Sequence, residues 1–222
     1  MRKSTPFPKQ VIEQQLSEAL RAEELKYLSV TKEQQQQLVV LLEQLHKWNN
    51  AYNLTSVRNP EDMLVRHILD SIAVSPHLHG DKVIDVGTGP GLPGLPLAIL
   101  NPEKEFVLLD SLGKRISFIR QVVHLLKLNN VTAVQSRVED YAFEGGFDSI
   151  VSRAFASLAD MLGWCHHLLS DKGVFVALKG QLDEAEFEQV KAPFKVRETY
   201  PIAVPQLDAA RHVVVISPAN SE

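Results

Sequence analysis

Cysteine is almost missing: Cys165 is the only one in 222 residues. No disulfide can close within the chain, which fits a reducing, cytoplasmic setting. No run of about 18 apolar residues occurs, so no membrane-spanning helix and no membrane partner are expected. The start, Met1-Arg2-Lys3-Ser4-Thr5-Pro6, is basic, but no apolar stretch follows it, so no secretory signal is expected. An excess of positive charge is missing too. Lys and Arg number 23 against 27 Asp and Glu, for a net charge of −4. A surface for nucleic acid would therefore have to be local. What remains is a chain that is 45% hydrophobic, enough for one large α/β domain with a helical attachment.

The first part reads as helical. A helix fits residues 11–27, with Ile12, Leu16, Ala19 and Leu20 at helical spacing. Thr31-Lys32-Glu33-Gln34 is a capping-box pattern. Behind it Leu38, Leu41, Leu42, Leu45 and Trp48 form one apolar stripe. Another helical stretch spans residues 61–75. No strand pattern precedes residue 81, so residues 1–80 are expected to be a helical extension and residues 81–222 the α/β core.

From there the pattern alternates. Strands are expected at residues 82–86, 105–110, 131–135, 147–152, 173–178, 195–202 and 212–217. Helices are expected over 114–128, 155–169 and 183–190. Strands alternating with helices predict a seven-stranded, mostly parallel, Rossmann-like sheet with helices on both faces. The last two strands have no long helix between them and predict an antiparallel C-terminal hairpin.

The stretch Val83-Ile84-Asp85-Val86-Gly87-Thr88-Gly89-Pro90-Gly91-Leu92-Pro93-Gly94 organises this core. A β-branched strand runs into a glycine turn and then a helix, whose first turn tolerates Pro93 and Pro96. Gly89-x-Gly91-x-x-Gly94, with Asp110 about 20 residues further on, fits a dinucleotide fingerprint. Asp85-x-Gly87-x-Gly89-x-Gly91 fits S-adenosylmethionine instead. A pyrophosphate would be repelled by Asp85, whereas the cationic amine of a bound methionine group would be attracted. Asp110 at the end of the second strand can accept from ribose hydroxyls. Val138-Glu139-Asp140 adds acids after the third strand, where an adenine would lie. Asp85, Gly89 and Asp110 are accordingly expected at the cofactor, and the fold class is that of the class I S-adenosylmethionine-dependent methyltransferases.

Several segments resemble one family, the bacterial small-subunit ribosomal RNA methyltransferases G, also called glucose-inhibited division protein B. They are Trp48-Asn49-Asn50-Ala51-Tyr52-Asn53-Leu54-Thr55, Arg66-His67-Ile68-Leu69-Asp70-Ser71, the glycine stretch, Leu109-Asp110-Ser111-Leu112-Gly113-Lys114-Arg115, and Ser152-Arg153-Ala154-Phe155-Ala156. The likeness runs from about residue 30 to the C-terminus. It implies methyl transfer from S-adenosyl-L-methionine to N7 of guanine 527 in 16S ribosomal RNA, as free RNA or as a small-subunit particle. It also implies that Gly87, Leu92, Val138, Glu139 and Arg153 occupy cofactor-contacting positions.

N7 of guanine carries a free in-plane lone pair and no proton. No general base is needed, so no acid/base residue is expected and alignment is the requirement. His67 and Asp70, three residues apart, are expected to make a helix contact. Arg66, Lys114, Arg115 and Lys179 are expected to meet RNA phosphates, with ordinary surface charge as the plain alternative. Arg211-His212 is expected to be solvated. Trp164-Cys165-His166-His167 lacks a second ligand cluster, so packing is expected there and no metal. A monomer is expected.

Overall fold

The structure, a computed structural model, describes residues 6–155 and 157–220. The basic start at residues 1–5 and Ala156, which closes the segment opened by Ser152, lie outside the described residues. Helix α1 (Lys9–Ala19) buries Ile12, Leu16 and Ala19 on one side. It stops short of the expected residue 27. Arg21 and the Glu23-Glu24 pair interrupt the apolar stripe, and the chain turns to bury Leu25 at 1% exposure. Thr31 then caps α2 (Lys32–Tyr52): its hydroxyl accepts from the Gln34 amide, and the Gln34 side chain accepts from the Thr31 amide. This reciprocal pairing satisfies two otherwise orphaned donors. The helix runs past Trp48 until Asn53, at φ 51°, turns the chain away.

Asn59 caps the next helix by accepting from the Glu61 and Asp62 amides, with Pro60 in the first turn. This helix, residues 60–72, is not uniform. The short α3 (Pro60–Met63) and α4 (Asp70–Ile72) flank a π-helical stretch, Leu64–Leu69. It ends before Ser75 because Pro76 cannot continue it.

No strand precedes β1 (Lys82–Val86) among the described residues. The others are β2 (Glu105–Asp110), β3 (Val131–Gln135), β4 (Phe147–Ser152), β5 (Leu169–Lys179), β6 (Phe194–Pro201) and β7 (His212–Pro218). Between them lie α5 (Gly94–Leu100), α6 (Gly113–Leu126), α7 (Leu158–Cys165) and α8 (Glu184–Gln189). The sheet order is β3-β2-β1-β4-β5-β7-β6. Strands β1 to β5 pair in parallel, and β7 runs antiparallel to both β5 and β6. The strand alternation sends Val83, Leu108 and Val151 into one core, shared with α1 and α2. Ile84, Val86, Leu109 and Ile150 enter a second core on the other face, with Leu158 and Met161 of α7. Full burial of each such side chain contributes about 1.5–3 kcal/mol.

Strand β1 pairs with β2 on one side and β4 on the other. Connections leave in opposite directions from this point, so a crevice opens at the carboxyl ends of these strands, where such sheets bind ligands. Gly94 opens α5 directly over that crevice. A Cβ there would lie 2.1 Å from Leu108 Cδ2 and 2.8 Å from Asp85 Oδ2. Gly94→Ala is expected to destabilise the fold by about 1–3 kcal/mol in urea unfolding, and unchanged stability would contradict this packing.

Candidate functional site

The glycine turn after β1 is held from below by Asp85. Its carboxylate is 1% exposed, and Oδ2 accepts from Thr88 Oγ1 at 2.6 Å and from the Gly94 amide at 2.8 Å. Oδ1 is buried with no hydrogen-bond partner among the described residues. Burial raises the Asp85 carboxyl to about 6, against the lowering effect of the Thr88 and Gly94 bonds. Asp85 therefore sits under the loop and shapes it. Gly87, Gly89 and Gly91 take φ of 67°, 61° and 85°, a region closed to most side chains.

Those turns leave most of the loop amides committed. Gly89 N–H donates to Asp110 Oδ2 at 2.9 Å. The amides of Thr88, Gly91, Leu92 and Leu95 donate to backbone carbonyls, and that of Gly94 donates to Asp85. A pyrophosphate needs such amides free at a helix N-terminus. Here most are taken, with two buried carboxylates beside them, which weighs against the dinucleotide fingerprint.

A cleft of about 270 Å³ opens beyond the loop, lined by Gly87, Asp110, Val138, Glu139, Phe155 and Trp164 among others. It gathers four expected residues, Gly87, Asp110, Val138 and Glu139, from three strand ends. Asp110 is 4% exposed; Oδ1 accepts from the Leu112 amide at 2.9 Å and Oδ2 also accepts from Arg115 Nη1 at 3.1 Å. Arg115, expected on RNA phosphate, is thus paired to a buried acid one turn away. Sequence reasoning missed Trp164, which is 46% exposed and faces this cleft from α7. Cys165 points the other way, and burial pushes its thiol up to about 12. Among the described residues no group of three or more His, Cys, Asp or Glu could hold a metal ion.

A second cavity of about 360 Å³ lies across β4, lined by Arg66, His67, Asp70, Arg153, Lys179 and Arg211 among others. Asp70 sits at its centre. Its Oδ1 accepts from Arg211 Nε at 2.8 Å, and its Oδ2 lies 3.5 Å from Arg153 Nη1. Arg153 Nε donates in turn to the Leu92 carbonyl at 3.2 Å. Leu92, implied at the cofactor, is buried, lines neither space and touches Arg153 through its carbonyl. Arg153, implied at the cofactor, lines this second cavity, while the next two residues, Ala154 and Phe155, line the cleft.

Arg211 was expected in solvent. The antiparallel return of β7 brings it to the carboxyl ends of β4 and β5, where Asp70 binds it. His67 and Asp70 are not each other's partners, because His67 Nε2 lies 2.9 Å from Thr55 Oγ1. Burial, then the Arg153 charge, lowers His67 to about 4, so it is neutral at pH 7. Lys179 reaches Glu186 at 2.9 Å on the cavity wall. Lys114 lies outside both spaces, 5.7 Å over the Tyr52 ring.

The family model described as rRNA small subunit methyltransferase G matches residues 34–214. The chain belongs to this family. The ribosomal RNA small subunit methyltransferase G of Aeromonas salmonicida is 63% identical over 185 residues, 83% of this chain and 89% of the relative. That of Photobacterium profundum is 60% identical over 190 residues, 86% and 92% of the two chains. Among solved structures, a SAM dependent methyltransferase from Aquifex aeolicus aligns with a TM-score of 0.54 at 13% identity, covering 74% of this chain and 96% of that one. M. jannaschii TYW2 in complex with AdoMet aligns with a TM-score of 0.52 at 17% identity, covering 67% and 76%. These two likenesses show the shared fold, a class I methyltransferase sheet.

The Asp85 geometry has a pH signature. An unfolded aspartate ionises near pH 4, at about 3.9, and this one ionises near 6 in the fold. Its contribution to stability is full below about pH 4 and is lost as pH rises through about 6. The melting temperature of Asp85→Asn, relative to the unsubstituted protein, is expected to rise across that window and then level off. A difference that stays flat with pH would contradict the buried, protonated carboxyl.

Proposed function

We propose that this chain transfers the methyl group of S-adenosylmethionine to N7 of guanine 527 in 16S ribosomal RNA, in the cytoplasm and as a monomer. The observation that carries the reading is the pair of adjoining spaces at the switch point. One offers carboxylates and aromatic faces. The other is lined by four cations, Arg66, Arg153, Lys179 and Arg211, with Asp70 pairing Arg153 and Arg211 and Glu186 pairing Lys179. Residues 81–222 are the methyltransferase core in this reading, and residues 1–80 a helical extension packed on it.

The cleft fits the cofactor. Its loop has no free amide cradle for phosphate, and its acids suit hydroxyl and amine donors. Asp110 and Glu139 would accept from the ribose and adenine, with Gly87 leaving room and Val138, Phe155 and Trp164 giving apolar surface. The bound cofactor supplies a methyl group already activated on a sulfonium. The protein then has to hold the guanine in line and exclude water. Arg66, Lys179 and Arg211 would hold the phosphates of a splayed-out nucleotide. Asp70 and the Leu92 carbonyl orient Arg153 between the two spaces. Neutral His67, at about 4, is a poor base, which suits a reaction that removes no proton before the methyl moves.

Mass-spectrometric mapping of 16S RNA from cells with and without the gene tests this directly. A single 7-methylguanosine at position 527 should vanish with the gene. An unchanged map, together with no transfer of labelled methyl to any form of 16S RNA, would sink the reading. Trp164 offers a separate readout, because the chain has only two tryptophans. S-adenosylhomocysteine should change its fluorescence, and Trp164→Ala should weaken binding about 3- to 10-fold. A signal that persists in Trp164→Phe would place the ligand elsewhere.

A further inference from the structure

Tyr52, within the Trp48–Thr55 segment, lines neither cavity. It is the last residue of α2, and its side chain is in the open, at 48% exposure. Exposure alone would say little, but the ring is fixed from the core outward. Trp48 packs against it with centroids 5.1 Å apart, and Trp48 meets Phe118 of α6 edge-on at 5.6 Å. Phe118 is fully buried. The ring is therefore held on an aromatic stack rooted in the core.

Charge is placed beside it. Lys114 Nζ stands over the Tyr52 ring, 5.7 Å from its centroid, a cation–π contact that a stacked base would displace. Arg58 Nη2 donates to Asn53 Oδ1 at 2.7 Å, which fixes a guanidinium on the turn that follows Tyr52. The rim of the cofactor cleft is close along the chain. Asp110 and Ser111 line it, Leu112 is 54% exposed, and Lys114 follows in the first turn of α6. Thus an anchored aromatic face, an exposed apolar residue and two cations adjoin the mouth of the cleft, on a protein whose net charge is −4.

This combination suits single-stranded RNA, where a base stacks on an aromatic ring and cations take the neighbouring phosphates. We propose that Tyr52, with Lys114 and Arg58, is a stacking platform for an unpaired base next to the methylated guanine. The proposal rests on the RNA substrate put forward above. A guanine drawn out of its loop leaves a neighbouring base without a stacking partner, and the platform supplies one. The helical extension then forms a wall of the RNA-binding face as well as a packing layer.

The test uses the full chain and small-subunit particles. Tyr52→Ala should raise the KM for the particle about tenfold and leave kcat and S-adenosylhomocysteine affinity unchanged. Tyr52→Phe, which keeps the ring face, should restore the KM. An unchanged KM in Tyr52→Ala, or equal losses in both variants, would overturn the proposal. If Tyr52→Ala fails to fold, replacing Tyr52 with the photocrosslinker p-benzoylphenylalanine decides. Crosslinks to 16S RNA support the platform, whereas crosslinks to a ribosomal protein alone, or none, overturn it. Should the unsubstituted protein transfer no methyl to any particle, the RNA-methylation reading itself falls, and that result is distinguishable from the others.

Discussion

Two buried carboxylates grip one glycine loop, and the rest of the site depends on that grip. Asp85 holds Thr88 and Gly94 from below, and Asp110 holds Gly89 from the side. Buried carboxylates are costly unless donors surround them, and here the donors include the loop amides of Gly89 and Gly94 and the Thr88 hydroxyl. The same bonds thus stabilise the acids, fix the turn and spend the amides that a phosphate would require. The loop's chemistry follows from which groups are already paired. Glycine at its positive-φ positions makes the arrangement possible, and the acids decide what it admits.

A second chain of contacts ties this loop to the opposite cavity. The Leu92 carbonyl, at the end of the loop, accepts from Arg153; Arg153 pairs with Asp70; Asp70 pairs with Arg211. The elements involved are far apart in sequence: the turn after β1, the end of β4, the start of α4 and the start of β7. Only the sheet order brings them together, with β7 returning antiparallel beside β5.

That distance marks the limit of what the sequence displayed. Strand and helix periods were plain because each is a local pattern: Val83 to Val86, Glu105 to Asp110 and the Leu38 to Leu45 stripe appear in the structure where the pattern put them. Of the cleft residues, Asp110 and Glu139 were legible as acids at strand ends, where α/β sheets bind ligands, whereas Gly87 and Val138 were named through the family resemblance. Asp85 was recognised for its charge, but its hold on Thr88 and Gly94 was not legible, because that depends on α5 closing over it. Arg211 and Trp164 were missed for a related reason. Nothing near Arg211 in sequence signals Asp70, 141 residues away. Trp164 lies in a helix whose cleft-facing side is defined by β1 and β3, not by its own apolar stripe. Helix ends were the least legible of all, as the early stop of α1 shows, since charge interrupts a stripe without leaving a cap.

The central claim is that the loop, with most of its amides committed to Asp85, Asp110 and backbone carbonyls, admits an S-adenosylmethionine-type ligand and rejects a dinucleotide. Titration calorimetry on the intact chain measures this directly. The account predicts that S-adenosylhomocysteine binds at one site per chain, while NAD gives no saturable heat under the same conditions. Saturable binding of NAD that displaces S-adenosylhomocysteine would contradict it.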